Sequence, residues 1–208
     1  MALRLYGDGS IENVTSINTA VSSTELGYLD GVTSGIQSQT DSIGLVKVLH
    51  LDVNSSSNII RNNVFSSLYR NYKILFQGTG SDAATQTARF RLYSGGVTQN
   101  TTAYYSSRVY WANATNPTLN TNWGINNWAA MSLIGTKCFS TSIDLFNPYD
   151  SSKFTTFNSI SNAQANTNNQ FTINQGQHEV SVSADGFQFE ISAGTVTGTI
   201  DVYGYAGV

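Results

Sequence analysis

The chain is 208 residues long, 11% charged and 12% aromatic, with a formal net charge of −3. No basic cluster offers the positive footprint that phosphate neutralisation demands, which excludes nucleic-acid binding. The single cysteine, Cys138, rules out an intrachain disulfide, and no apolar run reaches the length needed for membrane insertion.

This length carries one good-sized domain plus an extension. Ser, Thr and Asn together supply 70 residues, so the surface is neutral and hydrogen-bonding rather than ionic. Aromatic and β-branched side chains supply the apolar area needed to fold, and they favour sheet. The opening MALRLYGDGS has neither the apolar stretch nor the cleavage site of a signal peptide, which predicts synthesis in a cytoplasm without an export route.

Residues 1–17 read as an arm. Leu3 and Leu5 alternate with Arg4 and Tyr6 in a short strand pattern, which Gly7-Asp8-Gly9 interrupts. A piece this small cannot bury its own face and must pack on something else.

Residues 18–44 read as a connector, with two short helices predicted over Ser22–Ser42. Ser22 and Glu25 have capping-box spacing, Gly31 ends the first helix and Thr33 can cap the second. Leu29, Val32, Ile36, Gln39 and Ile43 are spaced 3, 4, 3 and 4, a heptad seam barely two heptads long. Two readings follow: a pair of surface helices, or a threefold stalk.

The core Thr24, Glu25, Leu26, Gly27, Tyr28, Leu29, Asp30, Gly31, Val32 and Thr33, followed by Ile36, Gln37 and Gln39, resembles a connector of bacteriophage tail-fibre and other virion structural proteins. The resemblance covers under a tenth of the chain closely. It implies a homotrimer, and it implies that Met1–Ile17 attaches to another virion protein. It favours the stalk over the surface helices.

From Leu45 to the end every signal is β. Strands are predicted at Val46–Val53, Tyr72–Gln77, Arg89–Tyr93, Arg108–Trp111, Lys137–Phe146 and Phe171–Asn174, separated by Asn, Gly, Ser and Thr clusters. Asn62–Arg70 is predicted to form a helical turn, with Val64, Phe65, Leu68 and Tyr69 on one face. Near the end, Val180 and Val182, then Phe187, Phe189 and Ile191, then Val196, Ile200 and Val202 alternate with polar residues. Asp185-Gly186 and Ala193-Gly194 supply the turns of a predicted three-strand meander. Its one greasy face calls for a second sheet. The run GFQFEISAGTVTGTIDVYGY is similar to the C-terminal strands of phage virion β-domains. The expected fold is all-β: a jelly-roll-like antiparallel β-sandwich head over residues 45–208, preceded by the arm and two helices.

The region Tyr104–Trp128 concentrates aromatics and amides. Rigid rings stack on the apolar faces of sugars, and amides read hydroxyls. Trp123, Trp128, Asn113, Asn122 and Asn126 are the candidate ligand-binding residues, on a distal loop spanning Asn113–Trp128. Trp111 is expected in the core. The bland alternative has these aromatics filling the core and the Asn residues making turns.

Chemistry has weaker candidates. Glycan hydrolysis needs two placed carboxylates. Glu179 and Glu190 are expected on neighbouring strands, where they can face each other or simply lie on a solvated face. His50 and Asp52 share one side of a strand, but only the distant His178-Glu179 could complete a metal site. Cys138 is expected to be a small buried hydrophobe. No Gly-Xaa-Ser-Xaa-Gly elbow occurs. No catalytic residue, metal or cofactor is expected.

With the resemblance, these readings point to a non-catalytic short tail-fibre or fibre-like subunit located in the virion, displaying its head to a host cell-surface glycan. The alternatives are a capsid-decorating fibre or a baseplate or tail adaptor and, from another class, a polysaccharide depolymerase head.

Overall fold

The computed structural model describes residues 4–5, 11–12, 44–82, 86–113, 116–165 and 168–206. The chain divides into two units, Met1–Ser42 and Ile43–Val208. In the first, β1 (Arg4–Leu5) pairs antiparallel with β2 (Ile11–Glu12), setting Arg4 opposite Glu12. The candidate seam Leu29, Val32, Ile36, Gln39 and Ile43, and the helices predicted around it, lie outside the described residues.

The second unit holds β3 (Gly44–Ser56), β4 (Asn58–Arg61), β5 (Asn71–Gly80), β6 (Gln86–Ser94), β7 (Val97–Thr98), β8 (Tyr104–Ala112), β9 (Thr118–Ile125) and β10 (Trp128–Ile134). β11 (Cys138–Phe146), β12 (Thr155–Ala165), β13 (Asn168–His178), β14 (Gly186–Ile191) and β15 (Val196–Ala206) follow. An eight-stranded sheet runs β3-β15-β5-β11-β12-β13-β8-β9. A five-stranded sheet runs β10-β6-β14-β4, with β7 paired to β6. Every pairing is antiparallel, and no helix occurs among the described residues.

Strict alternation builds the layers, because successive side chains leave a strand on opposite faces. Tyr72, Ile74 and Phe76 of β5 and Phe187 and Phe189 of β14 are buried. The two sheets meet face to face through these rings. Phe76 lies 5.1 Å from Phe189, and Trp128 of β10 lies 4.6 Å from Phe157 of β12 and 5.1 Å from Tyr104 of β8. Such rings each bury about 150–250 Å² and carry much of the core energy.

Several expectations are corrected. Asn62–Arg70 is not helical: the N–H groups of Val64 and Phe65 both donate to Asp185 O, at 2.7 and 3.0 Å, and Leu68 is exposed. The C-terminal meander is not one sheet. β14 belongs to the five-stranded layer and β15 to the eight-stranded one. The chain crosses between them at Gly194, whose φ of +69° suits glycine. Each greasy face thus finds its partner in the opposite layer. Asp185-Gly186 is no hairpin turn either. Asp185 N donates to Tyr93 O, and Gly186 opens β14 so close to Arg61 that a Cβ there would stand 1.9 Å from its carbonyl oxygen. Val180 and Val182 form no strand, and Val180 is exposed.

Candidate functional site

The outer face of the eight-stranded sheet carries the site. Across β9, β8, β13 and β12 the register aligns outward residues in rows. One row places Tyr105 opposite Gln177, and Gln177 opposite Thr156. The next aligns Thr121, Ser107, Gln175 and Asn158. These rows floor an open groove of about 390 Å³.

Trp123 forms the wall of the groove: Thr121 pairs with the outward Ser107, so the two-residue alternation of β9 sets Trp123 outward as well, and a β-bulge follows it. Tyr104 faces Ile125 and Ser106 faces Asn122, so Tyr105 alone opposes the two residues Trp123 and Gly124. Gly124 has φ +60°, the left-handed conformation that an extra bulge residue adopts most cheaply as glycine. On this edge strand the Trp123 indole is 74% exposed and edge-on to Tyr105, with ring centroids 6.0 Å apart.

Below the groove floor, Gly176 of β13 has no room for a side chain. A Cβ there would meet Tyr105 O at 2.2 Å and the Phe157 ring at 2.7 Å. Trp128 lies fully buried beneath the same strand, its indole N–H donating to Gln177 O at 3.1 Å. His178 is buried beside it against Tyr104, ring centroids 4.4 Å apart. Its Nδ1 bonds Val180 O at 2.9 Å; a carbonyl only accepts, so Nδ1 carries the proton. Nε2 is then free to accept from the Thr101 hydroxyl at 3.3 Å. Burial lowers the pKa of His178 from its ordinary value.

Among the described residues that line the groove there is no Lys, Arg or His, and the single carboxylate is Glu179. Gln177 Nε2 donates to Glu179 Oε1 at 2.6 Å, fixing both groups at the rim. Arg108, the cation of β8, faces the opposite way. Its guanidinium lies over the Tyr110 ring at 5.1 Å, and burial lowers its pKa. The groove can therefore stack a ring and exchange neutral hydrogen bonds.

Of the five sequence candidates, Trp123 and Asn122 line this groove. Asn113 lies at a second groove, where its Oδ1 accepts from Asn169 N at 2.9 Å. Asn126 lines neither. Its carbonyl accepts from Arg91 Nε and its side-chain oxygen from Asn127 Nδ2, anchoring the bend that carries the chain from β9 to β10. Trp128 is a core residue, not a ligand residue, because that bend delivers it between the layers. The distal loop expected over Asn113–Trp128 is for half its length strand β9. Tyr105, Gln175, Gln177 and Asn158 were missed because only strand register brings them to Trp123.

Other expectations also change. Trp111 packs outward against Phe171, ring centroids 5.3 Å apart, rather than in the core. Cys138 is exposed. Glu179 and Glu190 do not face each other: Glu179 follows β13 of one sheet, while Glu190 of β14 in the other sheet pairs with Arg89 and Arg91. His50 and Asp52 do share a side, 3.5 Å apart, but His50 Nδ1 is taken by Asp201 at 2.7 Å and His178 is buried elsewhere. No group of three His, Cys, Asp or Glu residues placed to hold a metal occurs among the described residues. The chain matches no protein-family model, no curated protein and no solved structure.

Proposed function

We propose that this chain is a bacteriophage fibre subunit whose head binds a neutral glycan of the host surface. The arm Met1–Ile17 docks on another virion protein. Leu29, Val32, Ile36, Gln39 and Ile43 gather three copies, and the head is a jelly-roll-like sandwich. The connector Thr24–Gln39 supports the fibre part of this reading.

One observation carries the binding part: an exposed indole, set beside Tyr105 on the edge strand, stands over a floor of amide and hydroxyl side chains free of cations. Aromatic faces take the apolar C–H face of a pyranose. Asn and Gln amides each offer both donors and acceptors to its hydroxyls. Glu179 accepts from hydroxyls and repels anionic sugars. The lone carboxylate supports binding over hydrolysis, which uses a pair. Three heads on one axis raise the apparent affinity of a weak single site.

Calorimetric titration of the full chain with neutral host-surface polysaccharide tests this. Saturable binding, lost or weakened at least tenfold in Trp123→Ala with no new reducing ends, is expected. Equal binding by folded Trp123→Ala refutes the assignment of the groove.

A further inference from the structure

The Trp123–Tyr105 pair is one end of a longer surface. Strand β8 crosses the face with Tyr105, Ser107, Val109 and Trp111 directed outward in turn. At its far end Trp111 packs on Phe171 of β13, ring centroids 5.3 Å apart. A second groove of about 500 Å³ opens there, with Asn162, Gln164 and Gln170 beside the two rings and Cys138 at its rim. Six residue steps along the strand separate Tyr105 from Trp111, a span of ~20 Å. Between the two aromatic pairs lie Ser107 and Gln175, then Val109 and Ile173. No charged residue lines the second groove among those described, and only Glu179 lines the first.

We infer that the two grooves are the ends of one binding track, which takes an internal stretch of a linear, neutral polysaccharide rather than a terminal sugar. The inference rests on the glycan reading above and specifies the form of its ligand. Both grooves are open along the face, so a chain can enter and leave each. Two aromatic platforms at a fixed spacing reward a ligand long enough to reach both, because the second contact is made without a second loss of translational freedom.

A second copy of the chain is the competing occupant of this face, since Leu119, Ile160, Ile173 and Phe171 all expose apolar surface there. The amides decide against it. Exposed Asn158, Asn162 and Gln175 are interspersed with those apolar residues. Burial in a protein interface would leave such groups costly unless each found a partner. A sugar chain offers hydroxyl donors and acceptors at every ring.

The test measures affinity of the full chain for linear neutral glucan, galactan, mannan and N-acetylhexosamine oligosaccharides, from disaccharide to octasaccharide. In the series that binds, the octasaccharide is expected to bind at least about tenfold tighter than the disaccharide. Trp111→Thr, a strand-compatible change, should abolish that gain, so that the octasaccharide binds no tighter than the disaccharide. A bulky maleimide on native Cys138 should do the same without any substitution. An octasaccharide no tighter than the disaccharide, or a gain that survives both modifications, overturns the track while the glycan reading stands. If no neutral oligosaccharide or polysaccharide binds, both fall. If Trp111→Thr or the Cys138 adduct instead separates the copies in light scattering, the face is an interface between chains and the track is refuted.

Discussion

Gly124 forms the bulge beside the exposed indole, and replacing it with valine tests how far that bulge holds the end of the groove. Its φ of +60° lies where an L side chain brings Cβ against the following carbonyl, at about 1–2 kcal/mol per residue. A β-branched side chain falls at the upper end of that range. An added Cβ would stand 3.4 Å from Thr102 O, an ordinary van der Waals contact, so the cost comes from the backbone conformation alone. Loss of about 1–2 kcal/mol lowers the melting temperature of a domain this size by roughly 2–8 °C. Giving up the extra residue to relieve the strain would bring Gly124 opposite Tyr104 and displace Ile125 from its register, disturbing the edge beside Trp123. Gly124→Val should therefore melt lower in a calorimetric scan and bind neutral polysaccharide more weakly. Gly124→Asn should sit close to the parent in both, since Asn tolerates the left-handed region. If Gly124→Val melts and binds like the parent, the bulge does not hold the edge beside Trp123 and the reasoning fails.

Trp128→Ala removes a buried ring packed on Phe157, Tyr104 and Phe90 and leaves Gln177 O without its donor. A loss of about 3–5 kcal/mol in denaturant unfolding is expected; a loss below 1 kcal/mol would mean the ring does not join the layers. The buried His178 predicts acid sensitivity. Its folded pKa lies below the ordinary 6.5, so the unfolded chain takes up the proton first as pH falls. Stability from this group is full above 6.5 and declines as pH drops toward the folded value. Melting temperatures from pH 7 to pH 5 should fall less steeply in His178→Gln than in the parent, and parallel slopes would contradict this.

The strands with clear alternation were legible from sequence: β3, β5, β6, β8 and β13 contain the segments expected, and β11 all of its segment but Lys137. Strand β12 was not. Its inward residues include Thr155, Ser159, Ser161 and Ala163, small side chains that read as loop. Neither was β9, whose Thr and Asn residues resemble a turn-rich linker, although an isolated glycine at 124 is itself a bulge signal. The assignment of β14 and β15 to opposite layers has no local signature, because a hairpin and a crossing between sheets use the same Gly-containing turns. At the site, Trp123 and Asn122 were readable as an aromatic beside an amide. The floor was not, because Ser107, Gln175 and Asn158 meet only through the β8–β13–β12 register. Trp128 misled because Asn126-Asn127 looked like the rim of a loop; the bend there instead sends the next strand into the core.

The central claim is that the cation-free outer face around Trp123 meets sugar. A crystal structure of the full chain soaked with the tightest-binding neutral oligosaccharide addresses it most directly. The account predicts a pyranose ring stacked on Trp123 with its hydroxyls bonded to Gln175, Gln177 or Asn158. Strands of a sister copy lying across that same face, with the sugar bound elsewhere, would contradict it.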